Sequence, residues 1–112
     1  MGSEQVIRVT MFKIPSKTDQ ETLLKNYTIL SQTQAKDGKP YILSLEAGSA
    51  VDDPRAQGYT IVAKSVFKSM DDLKYYDTEC AAHQVLKAGN KKLGIDGFMT
   101  VFFSPTVVAG AV

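Results

Sequence analysis

Hydrophobic and polar positions change period along this chain, and each change marks an element. Residues 6–14, VIRVTMFKI, alternate, are rich in β-branched side chains and stop at Pro15, which predicts a strand. In the next stretch Thr18 and Glu21 have the spacing of a capping box, and Leu23, Leu24, Tyr27 and Leu30 recur at helical spacing. Gly38 and Pro40 are expected to end that helix. Residues 41–47, YILSLEA, predict a second strand, residues 48–58 a polar loop, and residues 59–68, YTIVAKSVFK, a third strand. Ser69, with Asp71 and Asp72 behind it, opens a second helix expected to run to about residue 91. Residues 97–105 predict a fourth strand, again closed by proline. The order β-α-β-β-α-β is α+β and ferredoxin-like: a four-stranded antiparallel sheet with two helices on one face. It spans one domain over residues 1–112, with a core from about 6 to 103 and a small apolar tail over 104–112.

Strand side chains alternate between faces, and here both faces are apolar. Ile7, Val9 and Met11 point one way, while Val6, Thr10 and Phe12 point the other with Arg8. Phe98 and Phe102 alternate with Met99, Val101 and Phe103. A sheet with one wet face should read apolar-in, polar-out. Two helices cover one face, and each large side chain left wet on the other forgoes roughly 1.5–3 kcal/mol. The expected solution is a homodimer, sheet against sheet, enclosing a barrel-like interior able to hold a small hydrophobic ligand. In a monomer, the C-terminal tail would have to shield that face instead.

Composition narrows the class. The chain has 112 residues, 44% hydrophobic and 22% charged, which suits one soluble domain. No apolar run is long enough to cross a bilayer, and residues 1–9 lack the features of a secretory signal. A single cysteine fits a reducing compartment, so a cytoplasmic location is expected. The net charge of +1, with no Lys/Arg block, argues against nucleic acid as partner.

Candidate chemistry concentrates in residues 75–84, YYDTECAAHQ, which hold the only His and the only Cys. On one continuous helix, Tyr76, Cys80 and His83 fall at i, i+4 and i+7, on one face. An imidazole near a phenol is a proton-transfer pair suited to neutral pH. The same stripe is also what a helix needs simply to pack on a sheet. Cys80 as a nucleophile with His83 as its base is a weaker pairing, because no third residue to orient the imidazole can be named. One His and one Cys fall short of a metal site. Residues 89–94 lack phosphate-loop spacing, and the aspartates read as turn and helix-start residues. Tyr59, Tyr41, Phe67 and Cys80 are the further candidates for lining a ligand cavity.

The run GYTIVAKSVFKSMDDLKYY resembles the signature of the stress-responsive A/B-barrel domain family, one of the dimeric α+β barrels. The matching positions are Gly58, Tyr59, Phe67, Ser69 and Tyr76, with Phe12 and Lys13 near the end of the first strand. The resemblance covers residues 6–103 and implies a homodimer. The family includes plant heat-stable proteins and a polyketide cyclase that closes a ring by aldol condensation without metal or cofactor. It therefore implies His83 as general base and Tyr76 as hydrogen-bond donor, acting on an aromatic or polyketide-like molecule. The family pattern Tyr-x-x-His-Pro-x-His is altered here: the first His and the Pro are absent, and Tyr76 and His83 stand one residue further apart. Val6 and Ile61 occupy strand positions where the cyclase has His. The competing expectations are a non-catalytic stress protein whose assembly is its function, and a cofactor-free monooxygenase, which the absence of Trp disfavours.

Overall fold

The computed structural model describes residues 4–110, so the last two residues of the apolar tail lie outside it. Four strands, β1 (Val6–Lys13), β2 (Ser44–Ser49), β3 (Ile61–Phe67) and β4 (Gly97–Phe103), form one antiparallel sheet in the order β2-β3-β1-β4. Three helices, α1 (Lys17–Thr33), α2 (Met70–Thr78) and α3 (Ala81–Asn90), complete the ferredoxin-like α+β fold.

Register sets the two faces. Thr10 lies opposite Ala63 and Thr100, and Phe12 opposite Ile61 and Phe98, so these residues share a face with Val6, Arg8, Ser65 and Phe67. The helices cover that face. Leu23, Tyr27 and Leu30 of α1, Leu73 and Tyr76 of α2 and Leu86 of α3 are buried against it. On the opposite face, Val9 pairs with Val101, Met11 with Met99 and Ile7 with Phe103. No element of the described chain covers that face: Val101 is 51% exposed and Phe103 50%.

Three local expectations are corrected. Ser16, not Thr18, caps α1: its Oγ accepts from the Asp19 N–H at 3.2 Å. An S-x-x-D pair two residues earlier thus wins over T-x-x-E: Pro15 has its own φ fixed by its ring, and Ser16 is extended at ψ 123°, the backbone a cap residue needs. Ser16→Ala should therefore cost about 1 kcal/mol in denaturant titration, while Thr18→Ala should change stability by less than about 0.5 kcal/mol. Second, α1 ends at Thr33, before the expected glycine. Gly38 serves instead in a tight turn with Asp37, both at positive φ, between the bridged Lys36 and Lys39. Third, β2 starts at Ser44 rather than Tyr41, because the Gln34 side chain accepts the N–H groups of both Tyr41 and Ile42 and takes them out of the ladder.

The second helical region is also not continuous. α2 stops at Thr78, Cys80 is extended at ψ 116°, and α3 starts afresh at Ala81. No Gly or Pro marks the break. Thr78 turns its hydroxyl back on the Lys74 carbonyl at 2.7 Å, and the Tyr75 carbonyl accepts from both Glu79 and Cys80. The break lets α2 pack on β1 and β3 while α3 packs on α1, each burying its own stripe. Among the described residues, no helix is long and apolar enough to cross a membrane.

Candidate functional site

The helix break decides where the sole histidine goes. Tyr76 and His83 are not on one helical stripe, yet their rings stack, centroids 3.7 Å apart and planes 13° apart. The extra residue between them is taken up in the Thr78–Cys80 turn. His83 Nδ1 lies 2.7 Å from the Tyr76 carbonyl oxygen. A carbonyl only accepts, so Nδ1 carries the proton and donates, which leaves Nε2 as the basic nitrogen. His83 is only 4% exposed. Burial drives its pKa down from 6.5 to about 4, with the positive charges of Arg8 and Lys87 adding to the fall and the Tyr76 carbonyl opposing it. At neutral pH the imidazole is therefore uncharged and able to take a proton.

His83 borders a cavity of about 400 Å³ between the covered face of the sheet and the helices. Phe12 and Phe98 of the sheet, Tyr27 of α1, Leu86 of α3, and Leu93 and Ile95 beyond it form the apolar wall. Phe12 contacts Tyr27 edge-on at 6.3 Å and Phe98 at 6.2 Å, which fixes that wall. The polar floor comes from β1 and β4: Thr10 and Thr100, directly paired, share a hydrogen bond of 2.8 Å. Arg8 extends the floor. Its Nη1 donates to Thr10 Oγ1 at 2.9 Å, its Nη2 pairs with Asp77 at 3.1 Å, and its guanidinium carbon lies 5.1 Å from the Tyr76 ring centre.

The structure thus brings some of the sequence candidates together and separates others. Tyr76 touches His83 and Phe67, the latter at 5.2 Å, but its hydroxyl is buried without a partner and it does not border the cavity. Burial pushes that phenol's pKa well above its usual value. Phe67 and Cys80 are fully buried. Cys80 precedes α3 as its cap residue without a side-chain cap bond, and the hydrogen bond of His83 goes to the Tyr76 backbone. Tyr41 packs on Phe67 and Tyr75 and borders a separate hollow with Lys36 and Asp72. Tyr59 sits beneath Lys13, 4.9 Å from its ammonium, at a third hollow beside the Gly58 loop. Among the described residues there is no cluster of three or more His, Cys, Asp or Glu able to hold a metal ion.

Sequence reasoning missed the phenol that does face the cavity. Tyr27 is an apolar-stripe residue of α1 by spacing, and burial raises its pKa to about 12, so it remains a protonated donor. Arg8, Thr10 and Thr100 were missed as well. Their signal was present in the alternation, because Arg8 and Thr10 are polar residues on a face that is otherwise core.

An unpaired buried hydroxyl has a measurable consequence. Tyr76→Phe removes only an oxygen that has no hydrogen-bond partner, and should leave stability unchanged or raise it by up to about 1 kcal/mol in denaturant melts. A loss of more than that would show that Tyr76 has a partner.

The family profile described as Stress Responsive A/B Barrel Domain matches residues 6–94. The chain belongs to that family. A relative from Gibberella zeae, named a fusaristatin A biosynthesis cluster protein, is 48% identical over 109 residues, covering 97% of this chain and 79% of that protein. The A/B-barrel fold is also that of a hydroxynitrile lyase from Passiflora edulis (TM-score 0.75, 13% identity, 96% of this chain and 98% of that one). It is shared with a dimeric ferredoxin-like protein of unknown function from Thermobifida fusca (TM-score 0.74, 12% identity, 92% of each chain). At such identities the solved structures bear on fold alone.

Proposed function

We propose that this A/B-barrel protein is a homodimer that binds a small aromatic or polyketide-like molecule and catalyses proton transfer on it without a cofactor, as an aldol-type cyclase. The observation that carries the reading is the neutral His83, its Nδ1 held by the Tyr76 carbonyl, at the wall of a largely apolar cavity of about 400 Å³. That volume falls within the usual range for small-molecule sites. The biosynthesis-cluster relative supports a role in secondary metabolism. The site lies under the helices of each subunit rather than between two sheets, so the apolar outer face is left for the partner copy.

In this reading His83 Nε2 takes a proton from a carbon flanked by carbonyls. The resulting enolate forms a carbon–carbon bond to a second carbonyl of the same molecule. The new alkoxide then recovers the proton from the imidazolium. The Tyr27 hydroxyl at the wall is the donor available to the developing oxygen charge, in place of Tyr76, which supports His83 from behind by ring stacking and its backbone carbonyl. Arg8 beside Tyr76 adds positive potential.

The aldol formed in this way then loses its hydroxyl with a proton from the adjacent carbon as water, and the test is turnover of a synthetic linear poly-β-ketone, followed by mass spectrometry for the cyclised, dehydrated product. The wild type should accelerate ring closure, and His83→Gln, which keeps a planar polar group, should return the rate to that of buffer. Full activity in His83→Gln would sink the assignment. A wild type that neither binds nor converts such compounds would favour the assembly role, and oxygen uptake with a phenolic substrate would favour a monooxygenase.

A further inference from the structure

The charges around the cavity are one-sided. Arg8, Lys87 and Lys91 border it and, among the described residues, no carboxylate does, although the chain as a whole carries a net charge of only +1. Asp77 pairs with Arg8 but is not part of the wall. Lys87 donates to the Asp77 backbone carbonyl at 3.2 Å, and neither Lys87 nor Lys91 forms an ion pair among the described residues. The Arg8 side chain is 13% exposed, and of its five donors one serves Thr10 and one Asp77, while Nε is buried with no partner. A buried guanidinium with so much unused capacity is stabilised by a further acceptor. Beside it the hydroxyls of Thr10 and Thr100 bond to each other, so that one hydrogen of the pair remains free to donate to a third oxygen.

We infer that the ligand of this cavity is an amphipathic anion, a carboxylate on an apolar aromatic or aliphatic body. Its head is received by Arg8 with the Thr10–Thr100 pair, and its body lies between Phe12, Phe98 and Leu86. The inference rests on reading this cavity as the ligand site, and narrows what that site takes. A fork-shaped guanidinium matches the two oxygens of a carboxylate, and an apolar surround strengthens the pairing. Lys87 and Lys91 at the wall attract the anion and favour its entry.

A matched pair of ligands tests this without any variant. 2-Naphthoate and 2-naphthamide share one ring system and differ in charge. Titrated calorimetrically into the wild-type protein, the acid should bind about tenfold more tightly than the amide, and raising the salt should erode that advantage. Arg8→Met should bring the two within about twofold of each other. Lys91→Met should keep most of the preference. If Arg8→Met fails to fold, Arg8→Lys, which keeps the charge and loses the fork, should show an intermediate preference. Equal binding of acid and amide by the wild type, or an undiminished preference in Arg8→Met, overturns the inference and leaves the ligand-site reading standing. Failure of both compounds to bind overturns both.

Discussion

Val101→Glu is expected to convert a dimer into a folded monomer. Val101 stands at the middle of β4 and pairs with Val9, so it lies near the centre of the apolar outer face. In the single chain it is 51% exposed, so a carboxylate there stays hydrated and the subunit still folds. In a dimer packed sheet against sheet the same carboxylate is buried without a counter-charge. Lys64 of β3, which faces Glu46 of β2 at 4.0 Å, is separated from Val101 by β1 within the same sheet. Breaking an interface with an uncompensated charge costs several kcal/mol, which raises the dissociation constant by about a thousandfold. Light scattering across a concentration series should report twice 12.2 kDa for the wild type and 12.2 kDa for Val101→Glu, with unchanged far-ultraviolet circular dichroism. A wild type that is monomeric at micromolar concentration, or a Val101→Glu variant that still dimerises, would refute the sheet-to-sheet assembly.

Acid should weaken the fold through one residue. In the unfolded chain His83 titrates near 6.5, and in the folded protein near 4. Between those values the unfolded state binds a proton that the folded state refuses. The contribution of His83 is therefore intact above pH 6.5, shrinks as pH falls, and has gone by about pH 4. The shift corresponds to at most about 3 kcal/mol. Denaturant melts at fixed protein concentration should show this loss, and His83→Phe, which keeps a ring stacked on Tyr76, should lack that share of it. The same pH dependence in His83→Phe would mean that other groups carry the acid response. The same proton also links stability to chemistry: the burial that makes His83 costly to charge is what keeps it a free base at pH 7.

The sheet was legible because strand alternation is a local signal. Val6, Thr10 and Phe12 on one side and Ile7, Val9 and Met11 on the other follow from a period of two, and the neighbours across β3 and β4 obey it. The boundaries of α1 and β2 were not legible to the residue. They turn on which side chain captures which backbone group, Ser16 for Asp19 and Gln34 for Tyr41 and Ile42, and several candidates were within reach. The site was half legible. The stretch holding Tyr76 and His83 stood out by residue type, but the expected i, i+7 stripe does not exist, because no Gly or Pro announces the break at residues 78–80.

By itself, then, the sequence determined the element order, the two apolar faces and the segment bearing the only imidazole. Each of these depends on residue type and on spacing within a dozen positions. Tertiary structure alone decided that the helix breaks so that α2 and α3 can each bury a face. It decided that His83 folds back onto Tyr76, and that Arg8, Tyr27, Thr10 and Thr100 meet it around one cavity. Those residues come from β1, α1 and β4, far apart in the chain, and only the closing of the sheet beneath the helices sets the distances between them.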